Sequence, residues 1–358
     1  MKSEIGRGPS LRSHDWRKRC IALCMGIIVS LLILEGGLRI AQHLFPISLL
    51  VDSDRLSVNR YPGQVWGNVK LNNFGFKDAD FSIKKNHRVR VVALGDSFAW
   101  GIVPREYNYL TLLERSLQSD GLDVDVLNMG IPGIGPEEYL YMLRHEALFF
   151  HPDIVLVSFF IGNDFIDFHP PLQWFERFYI YQFAKYCHGF FRSVERSLAA
   201  FRAYRDYVPT FKKEKFFEIE KIRSVLFRKD NDVLRKRMRN VLLKIKEMDS
   251  ICRKNGVALA FVLIPDQMQV DPELQQQLSE RFPREIPVGK MQWEVPNRVL
   301  GQYLSGLGIP YMDLLDAFKA GGAALYKPRD THWNIAGNAL AAEKIKATVI
   351  NLLPKESK

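Results

Sequence analysis

Ser97, Asp330 and His332 are the residues of this sequence whose types could together activate a hydroxyl group. A serine hydroxyl is a weak nucleophile at neutral pH. It needs a base within hydrogen-bond reach, a group that orients the base, and donors for the oxyanion formed when a carbonyl is attacked. The serine stands in the stretch V-V-A-L-G-D-S-F-A-W-G at 91–101, where an apolar run ends in Gly95-Asp96-Ser97. Taken alone, that tripeptide fits a surface turn equally well. A base and its orienter come from Tyr326-Lys327-Pro328-Arg329-Asp330-Thr331-His332-Trp333. Residues two apart in an extended loop point to the same side, so the Asp330 carboxylate can hold the Nδ1 proton of His332 while Nε2 faces outward. Asn334 follows as the N-cap of a helix expected to run to about Leu353 and to be closed by Pro354.

Two places could supply the oxyanion donors. After an apolar run at 124–127 comes Asn128-Met129-Gly130, where Gly130 can turn its backbone N–H toward a ligand with no side chain in the way. After a second run at 154–160 comes Ile161-Gly162-Asn163-Asp164, where Asn163 can donate through its side-chain amide. Gly and Asn are also the ordinary residues of a turn that ends a strand, so neither place is decisive by itself. Their register is what links them. Ser97, Gly130 and Asn163 each follow an expected parallel strand by a few residues, and open α/β sheets bind ligands at the carboxyl ends of their strands. With the late loop added, the parts occur in the order Ser, Asp, His.

The elements that must position these residues are legible as alternating strand and helix patterns from about residue 88 onward. Strands are expected at 89–94, 124–127, 154–160, 257–264 and, shorter, 311–314. They are apolar almost throughout, as strands covered on both faces of a parallel sheet must be. A helix at 107–119 presents Leu110, Leu113 and Leu117 and ends near Gly121. Another at 232–254 places Leu234, Met238, Val241, Leu242, Ile245, Met248 and Cys252 at three- and four-residue steps, with a basic face opposite and Gly256 as its stop. That basic face reads as solvated surface. The fold class is therefore α/β with a parallel sheet.

The stretch 165–217 breaks the pattern: 17 of its 53 residues are Phe, Tyr or Trp, interleaved with nine Lys or Arg. It falls between the third and fourth strands and is an insertion. A lid, a sugar-stacking platform, a surface against anionic lipid headgroups and a helical subdomain with its own core are all compatible with that composition. Ahead of the sheet, 46–87 is polar and rich in turn residues, including Asn72-Asn73-Phe74-Gly75-Phe76-Lys77-Asp78, and is expected to form a collar of short strands and loops.

The chain has 358 residues, 47% of them hydrophobic, enough for one large core or two smaller ones. The formal charge of +10 is spread along the chain without a nucleic-acid-binding module, which argues against DNA or RNA as a partner. No C-x-x-C or H-E-x-x-H spacing occurs, so neither a zinc site nor any other cofactor is implied. Of the four cysteines, Cys20 and Cys24 lie in an apolar run, and only Cys187 and Cys252 are candidates for a disulfide. Residues 1–19 carry Lys2, Arg7, Arg12, Arg17, Lys18 and Arg19 against Glu4 and Asp15, and 20–34 is free of charge. Extension through Glu35 toward Phe45 gives membrane-spanning length. No small-x-small cleavage site follows Leu34, so an uncleaved anchor at 20–45 is favoured over a signal peptide, with a buried helix of a soluble protein as the remaining reading. As an anchor it leaves the basic flank in the cytoplasm and the rest outside.

Gly95-Asp96-Ser97 after a strand, the isolated Gly130, Gly162-Asn163-Asp164, and Asp330-Thr331-His332 resemble the four blocks of the SGNH, or GDSL, hydrolase family. Phe98 stands where the name motif has leucine. The resemblance spans 88–358 and implies a flavodoxin-like three-layer α/β/α sandwich. It implies Ser97 as nucleophile, His332 as base and Asp330 as orienter. The oxyanion hole would comprise the Ser97 and Gly130 N–H groups with the Asn163 side chain, supported by Asp96, Gly162 and Asp164. The anchor, the N-N-F-G-F-K-D lead-in and the D-T-H-W-N ending are similar to membrane-anchored bacterial members related to alginate O-acetyltransferases, which act on acyl groups of cell-surface polysaccharides. An esterase acting on O-acetyl groups of an acylated glycan is the expectation. A polysaccharide O-acetyltransferase using the same triad, a lipid esterase, and a non-catalytic membrane-tethered scaffold are the alternatives, with polysaccharide-assembly proteins as possible partners.

Overall fold

A computed structural model of the chain describes residues 12–44, 65–66, 69–85, 88–166, 174–185, 187, 204–229 and 232–353. The start of the basic flank, much of the 46–87 lead-in and the middle of the aromatic insertion lie outside the described residues. Two compact units are present: Met1–Asp54 with Leu172–Cys187, and Arg55–Pro171 with His188–Lys358.

In the first unit, residues Arg12–Leu44 form one helix of 33 residues. Within it, Trp16–Ala41 is long and apolar enough to cross a membrane, an 18-residue window of it having a mean hydropathy of 2.3. Its one acidic side chain, Glu35, forms an i,i+4 ion pair with Arg39. Glu35 also accepts hydrogen bonds from the backbone N–H groups of Tyr179 and Ile180 at 3.1 and 3.0 Å. The carboxylate is thus satisfied inside the unit, as a charge in an apolar run must be.

The second unit is built on five parallel strands, numbered after a two-stranded hairpin of β1 (Val65–Trp66) and β2 (Val69–Lys70) in the lead-in. They are β3 (Val89–Gly95), β4 (Val124–Gly130), β5 (Ile154–Phe160), β6 (Ala258–Ile264) and β7 (Tyr311–Asp313), in the spatial order β4-β3-β5-β6-β7. Numbered within the sheet, that is 2-1-3-4-5, the flavodoxin-like order, whose switch point falls between β3 and β5. Side chains alternate between two cores. Val92, Leu94, Val155 and Val157 face the helices Pro136–His145, Asp232–Lys254 and Val295–Leu307, while Val91, Ala93, Ile154 and Leu156 face Tyr109–Ser119 and Ile335–Leu352. A sheet buried on both faces leaves no polar face, which is why these strands read as unbroken apolar runs.

One local expectation is corrected. β4 continues through Gly130, which pairs with Gly95 in the sheet, so Gly130 is the last residue of a strand and not part of the turn beyond it. The four cysteines are free thiols, Cys252 being buried in the core of its unit. The insertion's described residues fall in both units, and its helix Lys213–Ser224 runs past residue 217.

Candidate active site

The chain leaves β3 at Gly95 and turns at once into the one-turn helix Ser97–Trp100. A Cβ on Gly95 would lie 2.7 Å from Ala99 Cβ and 2.9 Å from Ser158 Cβ, so only glycine permits so sharp an elbow. Asp96 caps the helix, its carboxylate accepting from the Phe98 N–H at 2.9 Å. The helix ends because the Ala99 carbonyl is taken by the side-chain amides of Asn108 and Asn128, at 2.9 and 2.7 Å. Beyond it, Lys77 of the lead-in reaches in and donates to the carbonyls of Gly101 and Val103 at 2.5 and 2.6 Å. Burial brings the Lys77 ammonium down to about 8. Neighbouring Asp78 accepts from the Asn128 N–H at 2.9 Å and from Arg105 at 3.2 Å. The collar therefore clamps the exit of the serine turn.

Ser97 Oγ lies 2.8 Å from His332 Nε2, and His332 Nδ1 lies 2.6 Å from Asp330 Oδ1. The same carboxylate oxygen accepts the His332 backbone N–H at 3.1 Å. Burial opposes ionisation of Asp330, but hydrogen bonds from His332 and Thr210 outweigh it and hold the carboxyl below the ordinary range. Three groups are thus arranged as a Ser-His-Asp triad, with Ser97 and His332 half-buried and Asp330 buried beneath them. The segment carrying the acid and base is not an extended loop. Tyr326 pairs with Trp333, Lys327 N–H bonds to the His332 carbonyl at 3.0 Å, and Arg329 turns with φ of 47°, closing a tight hairpin. The hairpin is pinned by Trp333, which packs against Phe98 and Phe318 with centroids 5.0 and 4.8 Å away. Asn334 caps the following helix, Ile335–Leu352, through Gly337 N–H at 2.9 Å.

Past β5, the Asn163 amide nitrogen lies 3.3 Å from Asp96 Oδ2, and Ser97 Oγ lies 3.4 Å from that same oxygen. The third block is therefore brought to the serine. Asp164 shapes its turn, accepting from Phe160 N–H at 2.9 Å and from the Tyr139 hydroxyl at 3.1 Å. At Gly162 a Cβ would come within 2.3 Å of Asp266 Oδ2, so this glycine admits a buried carboxylate. Gly130 does something other than expected. Its N–H donates to Asn128 Oδ1 at 2.9 Å, and a Cβ there would lie 2.3 Å from Trp100 N. It is small because the serine helix packs directly on it. Three residues further on, Gly133 has φ of +77° and open space where a Cβ would stand.

Lys77, Asn128 and Asp266 were not among the site residues expected from the sequence. A lysine in a turn-rich lead-in and an asparagine inside an apolar run were the available signals, both weak because each contact is with residues far along the chain.

Sheet order and site together define the class of protein, an α/β domain that carries a serine–histidine–aspartate hydrogen-bond chain at the carboxyl end of its parallel sheet. Residues 225–357 match the family model described as the SGNH hydrolase-like domain of acetyltransferase AlgX. That stretch holds Asp330 and His332, while Ser97, Gly130 and Asn163 precede it. No curated protein sequence matches the chain. Solved structures similar to it include a GDSL-like lipase from Bacteroides thetaiotaomicron VPI-5482, with 13% identity, 76% of this chain and 93% of that one covered, and a TM-score of 0.41. An acetyl xylan esterase, AlAXEase, has 14% identity, coverage of 73% and 100%, and a TM-score of 0.43. A lipase/acylhydrolase from Enterococcus faecalis has 18% identity, coverage of 72% and 96%, and a TM-score of 0.39. The fold assignment rests on strand order and register rather than on these likenesses.

Proposed function

We propose that the chain removes or transfers an ester-linked acyl group, with Ser97 as nucleophile, His332 as base and then acid, and Asp330 as orienter. The observation that carries this reading is the unbroken hydrogen-bond chain from Ser97 Oγ through the imidazole to Asp330, at 2.8 and 2.6 Å. In the first step the Ser97 proton passes to Nε2 while Oγ bonds to the acyl carbon. The tetrahedral oxyanion collapses, the ester C–O bond breaks, and the departing alcohol takes the proton from His332. Water or a second hydroxyl, deprotonated by the same nitrogen, then attacks the acyl-serine and restores Ser97.

The oxyanion donors in this scheme are the Ser97 N–H and the Asn163 amide. Gly130 serves as a donor only if its bond to Asn128 breaks. Asp96, Gly162 and Asp164 act in support.

The acetyltransferase description matched by 225–357 supports an acetyl group as the acyl unit; in this reading its carrier is a cell-surface polysaccharide, and transfer to a sugar hydroxyl stands beside hydrolysis as an outcome. Incubation with an acetyl donor and an oligosaccharide, followed by mass spectrometry, separates the two. A gain of acetyl mass marks a transferase, and loss from a pre-acetylated glycan marks an esterase. Absence of both, together with no fluorophosphonate labelling of Ser97, returns the chain to a tethered scaffold.

The helix Trp16–Ala41 serves in this reading as a single-pass anchor, with its basic flank cytoplasmic and the catalytic unit outside. In the same unit Trp174 and Phe178 are 74% and 47% exposed, the aromatic character found at membrane–water interfaces. Protease added to intact cells should remove the catalytic unit. Protection of that unit until the cells are lysed would reverse the orientation.

A further inference from the structure

The hairpin bearing Asp330 and His332 is gripped from outside the sheet by residues 204–224, between β5 and β6. Lys327 Nζ donates to the carbonyls of Arg205 and Val208 at 2.6 and 2.5 Å. The backbone N–H groups of Thr210 and Phe211 donate to the carbonyls of Pro328 and Arg329, each at 3.2 Å. Asp206 accepts the N–H of Ile335 at 3.2 Å. Arg223, on the helix Lys213–Ser224, donates from Nη1 to Thr331 Oγ1 at 2.6 Å. Thr331 is the residue between the acid and the base.

Arg223 is itself held in place. It lies 3.4 Å from Glu220 Oε1 and 3.9 Å from Asp266 Oδ2, with its guanidinium 5.2 Å over the Phe160 ring. Glu220 and Asp266 are both fully buried. Burial, reinforced by the Asp266 carboxylate, raises the Glu220 carboxyl well above the usual range. The Phe160 ring packs against Phe98 at 4.4 Å, and Phe98 lies 5.0 Å from the His332 ring. Both faces of the arrangement thus end on the imidazole.

We infer that residues 204–224 are a positioning strap for the Asp330–His332 hairpin, and that Arg223, acting through Thr331 Oγ1, sets the angle at which the imidazole meets Ser97. This rests on the triad reading above. A planar guanidinium fixed by two carboxyl groups and a ring is a rigid lever, which a lysine at the same place would not be. An error of about 1 Å in the placement of a reacting group costs on the order of a hundredfold in rate. The loss therefore belongs to kcat, because substrate contacts are left intact.

The test uses the full chain in detergent micelles with four variants: Arg223→Met, Arg223→Lys, Thr331→Val and Thr331→Ser. Turnover of an aryl acetate and the downfield proton resonance of the Asp330–His332 hydrogen bond are both recorded. Arg223→Met and Thr331→Val should lower kcat about tenfold to a hundredfold with little change in KM, and should weaken or shift the downfield resonance. Thr331→Ser, which retains the hydroxyl, should match wild type, and Arg223→Lys should recover only part of the loss. Thr331→Val removes one oxygen and adds no charge, so it remains decisive if Arg223→Met fails to fold. A folded Thr331→Val with wild-type kcat and an unchanged resonance overturns the inference while leaving the triad standing. Should the wild type turn over no ester, the triad reading fails instead, and the resonance alone still judges the strap.

Discussion

Ser97 and His332 are 235 positions apart in the chain, yet their Oγ and Nε2 atoms lie 2.8 Å from each other. Only the serine elbow after β3 and the pinned hairpin before the last helix make that meeting possible. Ser97→Ala and His332→Ala should each abolish turnover of an aryl acetate. Asn163→Ala should lower kcat about a hundredfold to a thousandfold, the usual cost of one oxyanion donor. Steady-state kinetics on purified variants checks all three, and an unaltered rate in Ser97→Ala ends the assignment.

Gly130 and Gly133 should respond differently to alanine. At Gly130 the new methyl meets the Trp100 backbone at 2.3 Å, so the serine helix must move. We expect a loss of about 1–3 kcal/mol of stability, typical of overpacking, together with a fall in kcat. At Gly133 there is room for the methyl, and the cost is backbone strain at positive φ, on the order of 1–3 kcal/mol. Thermal melts paired with kinetics distinguish them: a Gly130→Ala protein with unchanged melting and activity would contradict the packing described.

Lys77→Met should be costly although the side chain touches no triad residue. It strands the Gly101 and Val103 carbonyls without their donor, at about 1–3 kcal/mol for each buried group left unpaired. Chemical denaturation gives the loss directly. A midpoint equal to that of wild type would show that the collar does not clamp the serine turn.

The buried Glu220 carboxyl carries a pH signature. Its folded-state affinity for a proton is raised above that of the unfolded chain, so its contribution to stability is fully present below the ordinary carboxylate range. That contribution is lost as pH rises through the raised value. Glu220→Gln stays neutral and has no such loss, so its stability relative to wild type should climb as pH is raised above the ordinary carboxylate range. A difference that stays flat there would mean Glu220 is ionised in the folded protein.

Much of this could be seen in the residues alone, for identifiable physical reasons. β3 and β5 announce themselves because strands covered on both faces must be apolar along their whole length. The helix Asp232–Lys254 shows its buried face at three- and four-residue steps, and Asn334 is a local capping signal whose partner is only three residues away. Asp330 and His332 are likewise neighbours, so their pairing is a matter of short-range geometry. The sheet order is another kind of fact. Nothing in the periodicity of β3 states that β4 lies on one side of it and β5 on the other. Gly130 has the same composition as an oxyanion turn, and only the seating of Ala99 and Trp100 against it makes it a packing residue. Lys77, Asp266 and Arg223 carry no local mark, because each meets its partners across chain separations that periodicity does not encode. What the residues settled by themselves were pairings between near neighbours with a local signal, Asp330 with His332 and the cap at Asn334. What tertiary structure decided was which distant charges and carbonyls would share a buried space, where leaving a polar group without a partner is costly.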